Sequence, residues 1–250
     1  MNSIDEIIND FKLNKSHDIK GLETVCTSTF YKYIKNENIG IKPMDLPRMV
    51  RRKPNKDKTY IPKQTRGTSI DLRDPNILSR EEFGHWEGDL VTGPRNEKNG
   101  AFFTLIERKT RFYYMIKIKD KTSKSVYMAF NKLAKLFGDK VNEVFKTITF
   151  DNGSEFARYK DIERKHKLKI YFAHPYASYE RGSNEKCNQL IRYYIPKGTN
   201  INDIPKETIN FIQQGINNKK RKILNYNSSL SLFTNELEQI ISINNQRIYL

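Results

Sequence analysis

Cysteine is nearly missing: 250 residues contain two, Cys26 and Cys187, and neither sits in CxxC or CxxH spacing. That scarcity removes the ligands for structural zinc and for a disulfide framework, leaving reduced thiols that pack. Long apolar runs are lacking as well. No stretch approaches the roughly 20 apolar residues that a membrane-spanning helix needs, and the opening MNSIDEIINDFK has no basic-then-apolar signal pattern. The expectation is a soluble, cytoplasmic chain with no membrane partner. Acidic residues are in deficit, with 29 Asp and Glu against 45 Lys and Arg, a formal net charge of +16. Such a surplus suits an anionic polymer, since each neutralised phosphate releases condensed counterions. A ribosome-associated protein or one adapted to an anionic membrane surface would carry a similar balance, so composition leaves those classes open. With 37% apolar residues the chain can bury one large core and a small appendage.

The pattern divides the chain into four parts: a helical part over 1–46, a basic linker over 47–80, an α/β core over 81–233 and a tail over 234–250. Ser3-Ile4-Asp5-Glu6 reads as a capping box, followed by Ile4, Ile7, Ile8 and Phe11 at helical spacing. A second helix begins near Thr27 or Ser28, with Phe30, Tyr33 and Ile34 facing a core and Tyr31, Lys32 and Lys35 outward. Two such helices suit either a helix-turn-helix or ordinary packing. Residues 47–67 hold eight Lys or Arg against Asp57 alone, with three prolines. Arg51, Arg52 and Lys53 lie in this stretch, which reads as a strap along a phosphate backbone or as a solvated tether.

From residue 85 the periodicity becomes that of strands: HWEGDLV, AFFTLIERK and RFYYMIKIK, separated by turn-like segments. SKSVYMAFNKLAKLFG then puts Val126, Phe130, Leu133, Ala134 and Phe137 on one helical face and stops at Gly138. TITFD is a short strand, SEFARYKDIERKHK a polar helix, LKIYFA a strand, and SNEKCNQLIRYYI a helix ending at Pro196. The order predicts a mixed five-stranded sheet flanked by helices, antiparallel first and joined by helical crossovers later.

Three acids stand out by position. Asp89 lies in the first strand, where Glu87, Asp89 and Val91 share a face. Asp151 follows an apolar strand directly and opens DNGSEF, whose Asn152 and Gly153 permit a sharp turn. Glu185 falls in the first turn of a later helix. Three converging carboxylates repel unless a cation sits among them. Mg²⁺ takes carboxylate and water oxygens and leaves positions open for phosphate, and two ions about 3.5–4 Å apart suit phosphodiester chemistry. Singly, each acid has a plainer role: Asp89 as a turn former, Asp151 as a helix N-cap, Glu185 as a charge near a helix N-terminus. Glu155 and Asn152, close behind Asp151, and Asn184, beside Glu185, suit supporting positions around such a site. Trp86 and His85 read as packing residues.

GHWEGDLV, TFDNGSEF, HPYASYERGSNEKCNQLIRYYIPKG and INNKKRKILNY, in that order, resemble the bacterial insertion-sequence-thirty family of transposases, a branch of the DDE transposases and retroviral-type integrases. The resemblance covers roughly residues 22–233, and 33 residues separate Asp151 from Glu185. It implies a ribonuclease H-like integrase core and a DDE triad at Asp89, Asp151 and Glu185. It also implies Mg²⁺ or Mn²⁺ as cofactor, most simply two ions, double-stranded DNA as partner (terminal inverted repeats and target), homo-oligomers assembled on DNA, and a bacterial, nucleoid-associated location. Arg181 and Arg192 match the signature around the third acid and are implied DNA contacts, as are Lys197 and the basic run Lys219, Lys220 and Arg221. The family commonly puts Tyr three residues ahead of the arginine, where this chain has Ser178, with Tyr179 one later. Its helical N-terminal part is shorter than usual, ending in IKPMDLPRMVRRK, and Ser228 to Phe233 replaces a Thr-Pro step. Those departures keep two alternatives in view, a catalytically decayed DNA-binding remnant and a ribonuclease H-like nuclease acting on RNA or hybrid strands.

Overall fold

The computed structural model describes residues 4–13, 25–36, 38–42, 66–94, 100–175, 177, 180 and 182–242, without the side chains of 11–13, 183, 185 and 242. Contacts divide the chain into two units: Met1–Ile61 with Lys219–Ser228, and Pro62–Asn218 with Ser229–Leu250.

In the smaller unit, α1 (Ile4–Leu13) packs on α2 (Thr27–Lys35), and Ile34 is fully buried. Tyr33, expected inward, is 37% exposed. In a nine-residue helix an amphipathic stripe leaves open which of two adjacent positions is covered, and here the aliphatic one is. The Lys219–Ser228 segment is fixed to α1, since Lys220 N–H donates to Glu6 Oε1 at 2.9 Å and its ammonium lies 3.0 Å from Asp10 Oδ1.

The larger unit is built on one mixed sheet of six strands in the order β1-β6-β5-β2-β3-β4. β2 (His85–Thr92), β3 (Ala101–Glu107) and β4 (Tyr113–Ile118) form an antiparallel meander, while β5 (Thr147–Phe150) runs parallel to β2 and β6 (Lys169–Phe172) parallel to β5. These are the five strands the sequence predicts, in a mixed arrangement that is antiparallel first and parallel later. The sixth, β1 (Thr68–Ser69), pairs in parallel with β6. Two residues have no periodicity to read, and what sets them is Gly67, at φ +72, where a Cβ would lie 2.8 Å from the Tyr159 ring. Residues 66–80, the end of the stretch read as linker, therefore fold along the sheet edge. Arg73 there is buried and donates to Thr149 Oγ1 at 3.2 Å. Arg51, Arg52, Lys53 and the rest of that stretch lie outside the described residues.

Strand alternation assigns the two faces. Trp86, Phe103, Leu105, Ile148 and Phe150 face one cluster, closed by α4 (Ser123–Ala134), α6 (Tyr159–His166) and α9 (Ser229–Ser242). Val91, Phe102, Ile106 and Met115 face another, closed by α7 (Gly182–Tyr194) and α8 (Lys206–Asn218). β3 is buried along its whole length because both its faces are covered. α4 is capped by Thr122, whose hydroxyl accepts from Ser125 N–H, and ends at Ala134, short of the expected stop at Gly138; Val126, Phe130, Leu133 and Ala134 on its inner face are buried, as is Phe137 beyond its end. The polar helix after Asp151 is split. Phe156 turns in to stack on Phe150 with centroids 4.1 Å apart, so a 3₁₀ turn over Ser154–Phe156 precedes α6. α9 reaches into the stretch read as tail, and its Phe233 stacks on Phe112 at 4.0 Å. Two short helices, α3 (Asn76–Ser79) and α5 (Val141–Val144), fill connections.

Gly88 lies between Glu87 and Asp89 on the face opposite to theirs. A Cβ there would sit 2.2 Å from Phe150 Cε1, inside the stacked pair just described. Gly88→Ala should therefore cost about 1–3 kcal/mol by overpacking. At 2–4 °C per kcal/mol for a domain of this size, the melting temperature in a calorimetric scan should fall by roughly 2–12 °C. An unchanged melting point would mean that Phe150 moves aside freely.

Candidate active site

β2 and β5 are parallel neighbours, with His85 opposite Thr147, Trp86 opposite Ile148 and Glu87 opposite Thr149. Continuing that register by two residues brings Asp89, midway along β2, level with Asp151, which directly follows the last residue of β5. Both are half-buried. Asp89 Oδ1 accepts from Leu90 N–H at 2.9 Å, and Asp151 Oδ1 accepts from Gly153 N–H at 3.1 Å.

α7 supplies the third side. Its residue Asn184 is fully buried, donating from Nδ2 to the Glu87 carbonyl at 3.3 Å and from its backbone N–H to Glu87 Oε2 at 3.3 Å. Asn188, one turn later, donates to Asp89 Oδ2 at 2.8 Å. The first turns of α7 are thus bonded to β2, and the backbone of Glu185 is held between those two anchors. The Glu185 side chain lies outside the described residues, as does Arg181.

Glu155 completes an acidic group. Its carboxyl is raised above the ordinary range first by burial and then by the negative charges of Asp151 and Asp89, with Lys121 acting the other way. Sequence placed Glu155 as a supporting residue, and its carboxylate lies over Gly153, where a Cβ would come 2.5 Å from Glu155 Cδ. Asn152 ties the ends of the sheet together, donating to the Ala173 carbonyl and accepting from Arg66 N–H, both at 2.6 Å. Among the described residues no three His, Cys, Asp or Glu gather as a metal-holding group by themselves. The donor chemistry nevertheless fits a hard divalent cation. Asp89 and Asp151 offer carboxylate oxygens, each able to accept more than one partner, and the charge crowding felt by Glu155 is what a cation relieves.

The cations are more dispersed. Arg192 is half-buried and donates from Nη2 to the Thr92 carbonyl at 2.6 Å, and its Nη1 has no hydrogen-bond partner among the described residues. Lys197 is exposed beyond the end of α7. Lys219, Lys220 and Arg221 belong to the smaller unit, where Lys220 is paired with Asp10.

Sequence reasoning missed Asn188, Arg108 and His174. Asn188 carried no signal beyond its spacing from Asn184. Glu87 and Arg108 form a fully buried ion pair under α7. Trp86 and His85 are packing residues, with the indole N–H on the Val144 carbonyl at 2.7 Å and His85 Nδ1 on Thr147 Oγ1 at 2.8 Å. His174, just past β6, bridges Glu180 Oε1 at 2.8 Å and Asp71 Oδ2 at 2.9 Å. The hydrogen bond to Glu180, followed by the contacts with Asp71, raises the His174 imidazole above its ordinary value. Stability from that imidazolium is full below about pH 6.5, the value for an unfolded chain, and is lost as pH rises through the higher folded value. The melting-point difference between wild type and His174→Gln should therefore shrink as pH goes from 6 to 9. A constant gap would assign His174 a pH-independent role.

An integrase core domain model matches residues 79–178. The probable transposase for insertion-like sequence element IS1161 of Streptococcus salivarius is 35% identical over 233 residues, 93% of this chain and 64% of that protein. The transposase for insertion sequence element IS4351 of Bacteroides fragilis is 38% identical over 172 residues, 69% of this chain and 50% of that protein. Transposase InsI for insertion sequence element IS30A of Escherichia coli K12 is 37% identical over 160 residues, 64% of this chain and 40% of that protein. Among solved structures, the catalytic core domain of BIV integrase superposes with a TM-score of 0.47 at 14% identity, covering 64% of this chain and 99% of that one. The chain spans between 40% and 64% of the length of these three curated relatives. By these matches residues 79–178 resemble an integrase core domain, and 93% of the chain is similar to a transposase of an insertion-like sequence element.

Proposed function

We propose that this chain is a DNA transposase whose centre is Asp89, Asp151 and Glu185, acting on double-stranded DNA with a divalent metal cofactor. The observation that carries this reading is the β2–β5 register, which levels the two aspartates beside the helix turn that bears Glu185. The three acids would hold Mg²⁺ or Mn²⁺, most simply as two ions. Bound there, the cofactor supplies charge neutralisation at a phosphodiester and acidifies an attacking water or 3′-hydroxyl. The chain's own residues do the rest. Asp89 within β2 and Asp151 just past β5 fix the oxygen donors, Asn184 and Asn188 hold α7 against them, and Glu155 and Asn152 brace the turn after Asp151. No nucleophilic side chain is required.

Arg192, Lys197, Arg181 and the basic run Lys219 to Arg221 serve as backbone contacts, the class that makes up half or more of protein–DNA hydrogen bonds. The helical part over 1–46 and the basic stretch after it engage element ends, and copies of the chain assemble on terminal inverted repeats and target DNA. No helix among the described residues is long and apolar enough to cross a membrane, which accords with work on DNA in the cytoplasm. The test is Mg²⁺-dependent cleavage of duplex DNA by the wild-type chain and by Asp151→Asn. Cleavage by wild type alone supports the reading, and equal cleavage by both overturns it. A chain that cuts only RNA–DNA hybrids would be a nuclease of the same fold.

A further inference from the structure

α7 and β2 meet through two asparagines whose spacing matches the strand. Asn184 and Asn188 are four residues apart on the helix, about 6 Å along its axis. Their partners Glu87 and Asp89 are two apart on the strand, about 6.7 Å. The helix therefore runs in step with β2, and each asparagine meets a strand residue of the same face. Asn188 is itself held. An aspartate carboxylate only accepts hydrogen bonds, so the amide NH₂ of Asn188 must face Asp89 Oδ2, at 2.8 Å. Its carbonyl oxygen then faces Tyr113, whose buried hydroxyl donates to Asn188 Oδ1 at 3.0 Å. Thr104, between them on β3, donates to the Asp89 carbonyl at 3.1 Å.

We infer that Asn188, oriented by Tyr113, is a positioning residue that aims the Asp89 carboxylate and sets its distance from Glu185 on the same helix. The inference rests on the metal-holding reading above. With the Leu90 N–H on Oδ1 and the Asn188 amide on Oδ2, the carboxylate plane is fixed from two sides. Without Asn188, Oδ2 loses its donor and the carboxylate is held less firmly, and cation affinity falls because the donor set is no longer arranged in advance. Tyr113 acts at one remove, and it stays a neutral donor because burial raises its hydroxyl well above the ordinary range.

The test is Mn²⁺ binding to the full chain without DNA, followed by calorimetry, alongside thermal unfolding. Asn188→Ala should weaken Mn²⁺ binding roughly 10- to 100-fold, as loss of a ligand's hydrogen-bond partner does elsewhere, with the melting point within a few degrees of wild type. Tyr113→Phe should weaken it less, and the double variant should match Asn188→Ala, because both act through one path. Wild-type Mn²⁺ affinity in Asn188→Ala overturns the inference. Should Asn188→Ala fail to fold, Tyr113→Phe decides, and unchanged affinity there overturns it equally. Asp89→Asn separates the two levels. If it abolishes Mn²⁺ binding while Asn188→Ala does not, only the positioning role falls, whereas if it too binds as wild type, the metal-holding reading falls with it.

Discussion

Asp151→Asn is expected to cut Mg²⁺-dependent DNA cleavage by about a thousandfold or more while leaving DNA affinity within about twofold. The magnitude follows from losing a charged donor for a cation that contributes several kcal/mol to the transition state, at about 1.4 kcal/mol per tenfold in rate. The substitution is mild in every other respect. An asparagine Oδ1 can still accept the Gly153 N–H that Asp151 now accepts, so the turn into Ser154–Phe156 is preserved. Removing one negative charge from a chain with a formal net charge of +16 does not weaken phosphate attraction. Plasmid nicking measures the first quantity and fluorescence anisotropy at fixed salt the second. Joint loss of binding and cleavage would instead assign Asp151 to the fold.

The second large effect is expected at Arg108. This residue is 3% exposed and Glu87 is fully buried, with Arg108 Nη1 bonded to Glu87 Oε1 and Nη2 to the Ile77 carbonyl. Arg108→Met takes the bonded cation away from a buried carboxylate and leaves Arg73 as a nearby buried cation, a loss of about 3–5 kcal/mol at most. Because Glu87 Oε2 also accepts the Asn184 N–H, the damage should reach the seating of α7. Adding Glu87→Gln to Arg108→Met removes the stranded charge and should recover a good part of the loss, even though two native groups are then missing. Urea unfolding midpoints of the two single variants and the double variant test this. A cost under about 1 kcal/mol for Arg108→Met would mean that water reaches Glu87.

What could be read from sequence was whatever depends on near neighbours along the chain. α4 follows from the spacing of Val126, Phe130 and Leu133, and the meander from three runs rich in β-branched and aromatic residues. Asp151 stood out because a strand end can be located from where an apolar run stops, and Asp89 because of its place within the first strand. The resemblance to a family named Glu185, which pattern alone left as a charge near a helix start. What stayed hidden depends on partners far away. Asn188 is meaningful only beside Asp89, 99 positions earlier, and Arg108 only beside Glu87 on the preceding strand. β1 is defined by β6 rather than by its own two residues. α9 lay partly in the stretch taken for a tail because its inward positions, Phe233 and Leu237, seal a cluster formed by other elements.

The parallel pairing of β2 with β5 has a consequence during synthesis. The antiparallel hairpins can close as soon as they leave the ribosome, but β2 must wait for β5, and Asp89 for Asn188. At about 5–20 residues per second, translation of the 99 positions from Asp89 to Asn188 takes roughly 5–20 s. Throughout that interval the edge of β2 that carries Asp89 lacks both the strand and the helix that finish it.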